Sequence, residues 1–111
     1  MIYEIRNYHY EPSVIEQYRE WAIGKALPYI RAHLDVVGFW VNIDEPPQVG
    51  GMPLDELGSA TVTWIIRWDD VETRQRVMPQ VFGSAEWREI MAENPGQENY
   101  HRTEAKFAEA L

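Results

Sequence analysis

The sequence predicts an α+β fold in which a strand–helix–strand unit occurs twice, and two stretches carry that expectation. Near the start, IYEIRNYHY alternates with the period of two of a strand and runs into EPSVIEQY, which opens a helix. In the middle, TWIIRWDDVETR repeats the move: β-branched and aromatic residues, then an acidic cap and helix formers. Each stretch is followed by a further strand-like run. With 111 residues the chain has the length of one domain, spanning 1–111.

Strand one covers about Ile2–Tyr10, with Tyr3, Ile5, Asn7 and His9 on one face and Glu4, Arg6, Tyr8 and Tyr10 on the other. A capping box, Ser13 with Glu16, opens the first helix. Its inner stripe is Ile15, Tyr18, Ala22, Ala26, Tyr29 and His33, and Pro28 implies a kink near Lys25–Pro28, since proline removes a donor and crowds the preceding turn. Strand two runs about Val36–Ile43. A Pro/Gly-rich loop at 44–58 has a length that often marks a lid or a disordered tip. Strand three, about Ser59–Trp68, carries Val62, Trp64, Ile66 and Trp68 on one face. Asp69 or Asp70 caps a helix bearing Val71, Val77, Met78, Val81 and Phe82, which Pro79 limits or bends. Ser84 caps a short helix with Trp87, Ile90 and Met91 that ends near Asn94-Pro95-Gly96.

The tail YHRTEAKFAEAL reads as strand four rather than a helix. In a ferredoxin-like βαββαβ sheet it lies antiparallel beside strand one. Setting Arg6 opposite Glu104 and Glu4 opposite Lys106 matches charges on one face; Tyr3 with Phe107 and Ile5 with Ala105 match apolar partners on the other.

Composition removes several functions. The net charge is −8, from 18 acidic and 10 basic residues, so nucleic acid and anionic membranes are not expected partners. There is no cysteine, which excludes disulfides, thiolate nucleophiles and thiolate metal sites and fits a reducing cytoplasm. No apolar run approaches the roughly 20 residues of a membrane span, and MIYEIRNYHYEP has no leader character. A cytoplasmic protein is expected.

The residues also resemble a family. YEIRNY, ALPYIRAHLDVVGFW, RWDDVETR and GSAEWREI occur in the order in which similar segments occur in NIPSNAP-family proteins, from about Tyr3 to the C-terminus. Trp68 departs from the family's usual Tyr, and the 44–58 loop is longer than a minimal turn. The resemblance implies a dimeric α/β barrel, in which two ferredoxin-like sheets pack face to face. Its superfamily includes cofactor-free monooxygenases, polyketide cyclases and haem-degrading enzymes. The family has no agreed catalytic residues, so none is transferred.

A sheet covered by helices on one face leaves the other for a second copy. The residues expected there are Glu4, Arg6, Tyr8, Arg67, Glu104 and Lys106. Among candidate site residues, His33 is expected at the end of the first helix, where the dipole favours a cation, as helix cap or as a donor facing a cavity. His9 and His101 are expected as cross-strand neighbours, but no ligand spacing supports a metal site. Trp40, Trp64 and Trp68 on the central hairpin supply either core packing or walls for a flat apolar ligand, with Asn42, Asn7 and Thr63 as polar groups. Two readings follow: a homodimer binding a small apolar or aromatic metabolite, possessing no cofactor and acting as an oxygenase, cyclase or isomerase; or a non-enzymatic interaction dimer using its acidic surface and long loop.

Overall fold

Every second residue from Val62 to Trp68 is buried, and this alternation fixes which side of the sheet meets the helices. In the computed structural model, which describes residues 1–111, β1 (Ile2–Tyr10), β2 (Val36–Val41), β3 (Val62–Trp68) and β4 (Tyr100–Ala108) form one sheet in the order β2-β3-β1-β4. All neighbours are antiparallel, as the ferredoxin-like reading requires. α1 (Ile15–Trp21) continues through a π-helical turn, Ala22–Ala26, into α2 (Leu27–His33), while α3 (Val71–Phe82) and α4 (Ala85–Ala92) connect β3 to β4.

The β1–β3 register sets Glu4 opposite Ile66, Arg6 opposite Trp64 and Tyr8 opposite Val62. Residues directly opposite share a face, so these three β1 side chains point at the helices. This corrects the expected dimer face: Glu4 is 0% and Tyr8 9% exposed beneath α-helical cover. The bare face instead carries Tyr3, Ile5, Asn7 and His9 of β1, with Thr63, Ile65 and Arg67 of β3.

The tail is a strand, but its register differs by one residue from the expected one. Asn7, not Arg6, faces Glu104, and Ile5, not Glu4, faces Lys106; beyond an irregularity at His9/Tyr10, Tyr10 faces Tyr100. The physical reason is that the charges on β1 need nothing from β4. Glu4 is paired by Arg6 at 2.6 Å and by Arg74 at 2.9 Å, both from the helix side. Tyr100 anchors the start of β4 in the expected pairing, its ring meeting Tyr10 at 4.7 Å and Tyr8 at 5.6 Å, edge to face, and the one-residue shift begins at the irregularity that follows. Such aromatic pairs contribute about 0.5–1.5 kcal/mol beyond their burial, more than an exposed charge pair. Arg67, Glu104 and Lys106 do lie on the bare face. From His101 to Ala108, β4 is exposed on both sides in the single chain.

Local sequence accounts for the helices. Asp70 Oδ1 accepts from Thr73 N at 2.7 Å to start α3, and Ser84 Oγ accepts from Trp87 N at 3.0 Å to start α4. The first helix departs from the expected capping box, because Glu11 accepts from Ser13 N and the chain enters through the 3₁₀ turn Pro12–Val14. The irregularity expected before Pro28 takes the form of the π-helical turn. Tyr18, Ala22, Ala26 and Tyr29 of the expected stripe are buried, joined by Trp21, Ile30 and Leu34, while Ile15 is only partly buried and His33 lies outside. Pro79 lies within α3, which runs on to Phe82.

Cross-ties fix the layer. The Tyr29 hydroxyl donates to Val81 O and sits 2.7 Å from Ser84 Oγ, and Trp21 Nε1 donates to Ile90 O at 2.8 Å. The 44–58 loop lies towards the bare face, where Asp55 pairs with Arg102 at 2.8 Å and Gly58 O accepts from His9. It is not a lid over the helix side. No helix is long and apolar enough to cross a membrane.

Candidate functional site

Between sheet and helices the side chains leave a cavity of about 500 Å³, within the range of roughly 300–1,000 Å³ usual for small-molecule sites. The sheet contributes Arg6, Tyr8, Phe39, Trp64 and Thr103; the helices contribute Tyr18, Trp21, Ala26, Ile30, Phe82, Trp87 and Met91; Gln97 and Tyr100 complete the lining. The walls are flat because the rings lock one another. Phe39 stacks on Trp64 at 5.6 Å, Phe82 meets Trp64 at 6.4 Å, and Trp87 abuts Phe82 edge-on at 4.9 Å.

The polar groups enter from one side. Arg6 Nε donates to Tyr8 Oη at 2.7 Å, and Trp64 Nε1 donates to the same oxygen at 3.0 Å. Behind them lies Glu4, sealed from solvent, accepting from Arg6 Nη1, from Trp68 Nε1 at 3.0 Å, and from Arg74 through Nε at 2.9 Å and Nη2 at 3.1 Å. Burial pushes the Glu4 carboxyl towards protonation, but the hydrogen bonds and charges of Arg74 and Arg6 together outweigh it and hold the group below its ordinary value. Arg6 is likewise raised: burial opposes its charge, and Tyr8 and Glu4 favour it. Tyr18 and Tyr100 are pushed up, first by burial, so both enter the cavity as neutral phenols. The arrangement is thus an aromatic slot with one hydrogen-bonded polar wall. No group of three His, Asp or Glu is placed to hold a metal ion.

The residues singled out in the sequence are dispersed. Trp64 lines the cavity. Trp68 is buried beneath it as a donor to Glu4. Trp40 lies on the bare face, 51% exposed, its ring so close over Gly38 that a Cβ there would sit 2.3 Å from it. Asn42 is exposed and donates to Ala60 O at 2.7 Å. His33 is exposed, 4.4 Å from the Tyr29 ring and 4.0 Å from Glu86, and is not part of the cavity. His9 is on the bare face opposite Arg102, while His101 bonds Glu11 at 2.9 Å, so the two histidines are not the cross-strand pair expected. Lining residues that the sequence does not mark as site candidates include Tyr18, Phe39, Phe82, Tyr100 and Gln97, and Arg6 and Tyr8 lie on the helix side rather than on the expected bare face. The signal for those two was parity. Pairing β1 with the apolar alternation of β3 puts Arg6 and Tyr8 on the Trp64 face.

The order and pairing of the strands, with helices on one face and a cavity between, define a ferredoxin-like α+β protein. No family model and no curated protein matches the sequence. Solved structures match its fold. An uncharacterized NIPSNAP domain protein from Burkholderia xenovorans matches with TM-score 0.75 at 15% identity, covering 100% of this chain and 95% of its own. A NIPSNAP family protein of unknown function from Agrobacterium tumefaciens matches with TM-score 0.75 at 16% identity, covering 97% and 86%. An antibiotic biosynthesis monooxygenase matches with TM-score 0.54 at 11% identity, covering 100% and 99%. This chain has the fold of NIPSNAP domain proteins, which supports the resemblance read from its sequence.

Proposed function

We propose that this chain is a NIPSNAP-like protein that binds a small, flat, apolar or aromatic metabolite between sheet and helices. The observation that carries this reading is the cavity itself, walled by Phe39, Trp64, Phe82 and Trp87 and bordered by Arg6 and Tyr8. The reaction classes that suit such a slot without a cofactor are oxygenation, cyclisation or isomerisation, and the fold shared with an antibiotic biosynthesis monooxygenase supports the first of these. The absence of cysteine suits a cytoplasmic setting.

The working unit in this reading is a homodimer. Ile5, Ile65 and Trp40 share the bare sheet face with Arg67, Glu104 and Lys106, and β4 has cover on neither side. A standard interface hides about 1,600 Å², and that face offers apolar surface for its centre. A second reading, a non-enzymatic interaction protein, is favoured by the loop alone, where Met52 is 85% and Leu54 46% exposed.

The test is a titration of bicyclic aromatic compounds followed by intrinsic Trp fluorescence, in the native protein and in Ala26→Leu. Ala26 is buried and lines the cavity, so the added methyl groups fill ligand space. Native protein is expected to show saturable quenching that Ala26→Leu loses while keeping its circular dichroism. No saturable change with any compound, or equal binding by Ala26→Leu, overturns the reading.

A further inference from the structure

The polar wall of the cavity has donors that nothing in the chain uses. Arg6 commits Nε to Tyr8 and one Nη1 hydrogen to Glu4. A guanidinium carries five N–H groups, so the remainder of Nη1 and the whole of Nη2 have no partner in the protein. They are not sealed either, because the one buried side-chain nitrogen or oxygen without a partner is His9 Nδ1. Arg6 lines the cavity, so its free edge has the cavity to face. Tyr8 Oη accepts from Arg6 Nε and from Trp64 Nε1, which occupies both lone pairs and leaves its own hydrogen to donate elsewhere.

Charge points the same way. One carboxylate, Glu4, stands between two guanidiniums, Arg6 and Arg74, so the cluster keeps a net positive charge beneath the aromatic slot. It does so inside a chain whose overall charge is −8. A purely structural ion pair needs one cation; the second is in excess, and its free donors form the planar fork that matches a carboxylate or an enolate oxygen. Trp64 and Tyr8 hold the guanidinium plane, with its carbon 5.5 Å and 5.6 Å from their ring centres.

Resting on the cavity reading above, we propose that Arg6 and Tyr8 form an anion-recognition subsite, so that the ligand is an aromatic or polycyclic compound bearing an acidic oxygen, a carboxylate or an ionised enol or phenol. The ring system lies between Trp64, Phe82 and Trp87, and the acidic oxygen receives Arg6 Nη2–H and the Tyr8 hydroxyl hydrogen. Trp68 and Arg74 do not meet the ligand; they hold Glu4, which holds Arg6.

The experiment compares 2-naphthoate with its neutral methyl ketone isostere, 2-acetylnaphthalene, by Trp fluorescence and by ¹⁵N–¹H NMR of the Arg6 Nε signal. Native protein is expected to bind the anion at least about tenfold more tightly, a difference of about 1.4 kcal/mol, with the Arg6 Nε signal shifting on anion addition. Tyr8→Phe is expected to lower naphthoate affinity several-fold and ketone affinity by less, since the charge-assisted hydrogen bond is the stronger of the two. Arg6→Lys, which keeps the charge and loses the fork, is expected to lose most of the preference. If native protein binds both probes equally, or the Arg6 signal stays fixed while naphthoate saturates, the anion subsite is wrong and the cavity reading stands. If neither probe binds, both fall together.

Discussion

The two faces of this sheet reverse the usual relation between charge and burial. The helix-covered face holds a sealed glutamate with two arginines around it, beside Trp64, Ile66 and Trp68. The open face holds Ile5, Ile65 and the half-exposed Trp40 alongside Arg67, Glu104 and Lys106. Burying a charge is costly unless it is paired and hydrogen-bonded, and Glu4 meets that condition with four donors. Leaving apolar side chains on a sheet surface invites a partner. The comparison teaches that charge inside this fold lies where a ligand is proposed to bind, and that hydrophobicity outside it lies on the surface proposed for a second copy.

The largest effect comes from planting one charge on each face in turn. Ile66→Asp puts an unpaired carboxylate at a fully buried position and is expected to cost more than about 4 kcal/mol, enough to unfold the chain in a thermal melt. Ile65→Asp, its neighbour on the other face, is expected to melt as a folded protein and to sediment as a monomer. Similar outcomes for the two variants would mean that the faces are not distinct.

Next in size is Glu4→Gln, which leaves two guanidiniums facing a neutral amide and is expected to lose about 3–5 kcal/mol in urea unfolding. The sign of the pH dependence follows from the same group. The folded Glu4 carboxyl is held below its ordinary value of 4.5, so its stabilisation is complete above that value and disappears as pH falls through the lower folded value. Native protein should therefore lose stability on acidification below about pH 4.5, by a larger increment than Glu4→Gln does. Parallel curves for the two proteins would remove Glu4 from the account.

Smaller still is Tyr29→Phe. It strips a donor from Val81 O and Ser84, tying α2 to the α3–α4 turn, and is expected to cost about 1–3 kcal/mol in the same urea experiment. Least of all is Arg102→Gln, which breaks an exposed pair with Asp55 on the open side. It should stay within about 1 kcal/mol of native stability, and a greater loss would show that the loop is structural there.

How much of this was legible from sequence depended on whether the deciding contact was local. Strand alternation, the Asp70 and Ser84 caps and the disturbance before Pro28 are written within a few residues, and the βαββαβ fold could be read from them. The β1–β4 register was misread by one residue because opposite charges on Glu4, Arg6, Glu104 and Lys106 offered an attractive pairing. The actual partners of Glu4 are Arg6 on its own strand and Arg74, far along the chain on α3, and the register changes at the irregularity between His9 and Tyr10. His33 lies outside because the buried stripe ends on Ile30 and Leu34, and Leu34 competes with His33 for the last inward position at the same i+4 spacing. Of the cavity, Trp64 alone was recognisable as a wall.

The measurement that tests the account most directly is the set of indole ¹⁵N–¹H signals of the five tryptophans, followed during titration with an aromatic ligand. The account predicts that Trp21, Trp64 and Trp87, which line the cavity, shift together with one binding constant, while Trp40 on the open face does not move. A saturable shift of Trp40 with Trp64 and Trp87 unmoved would contradict it.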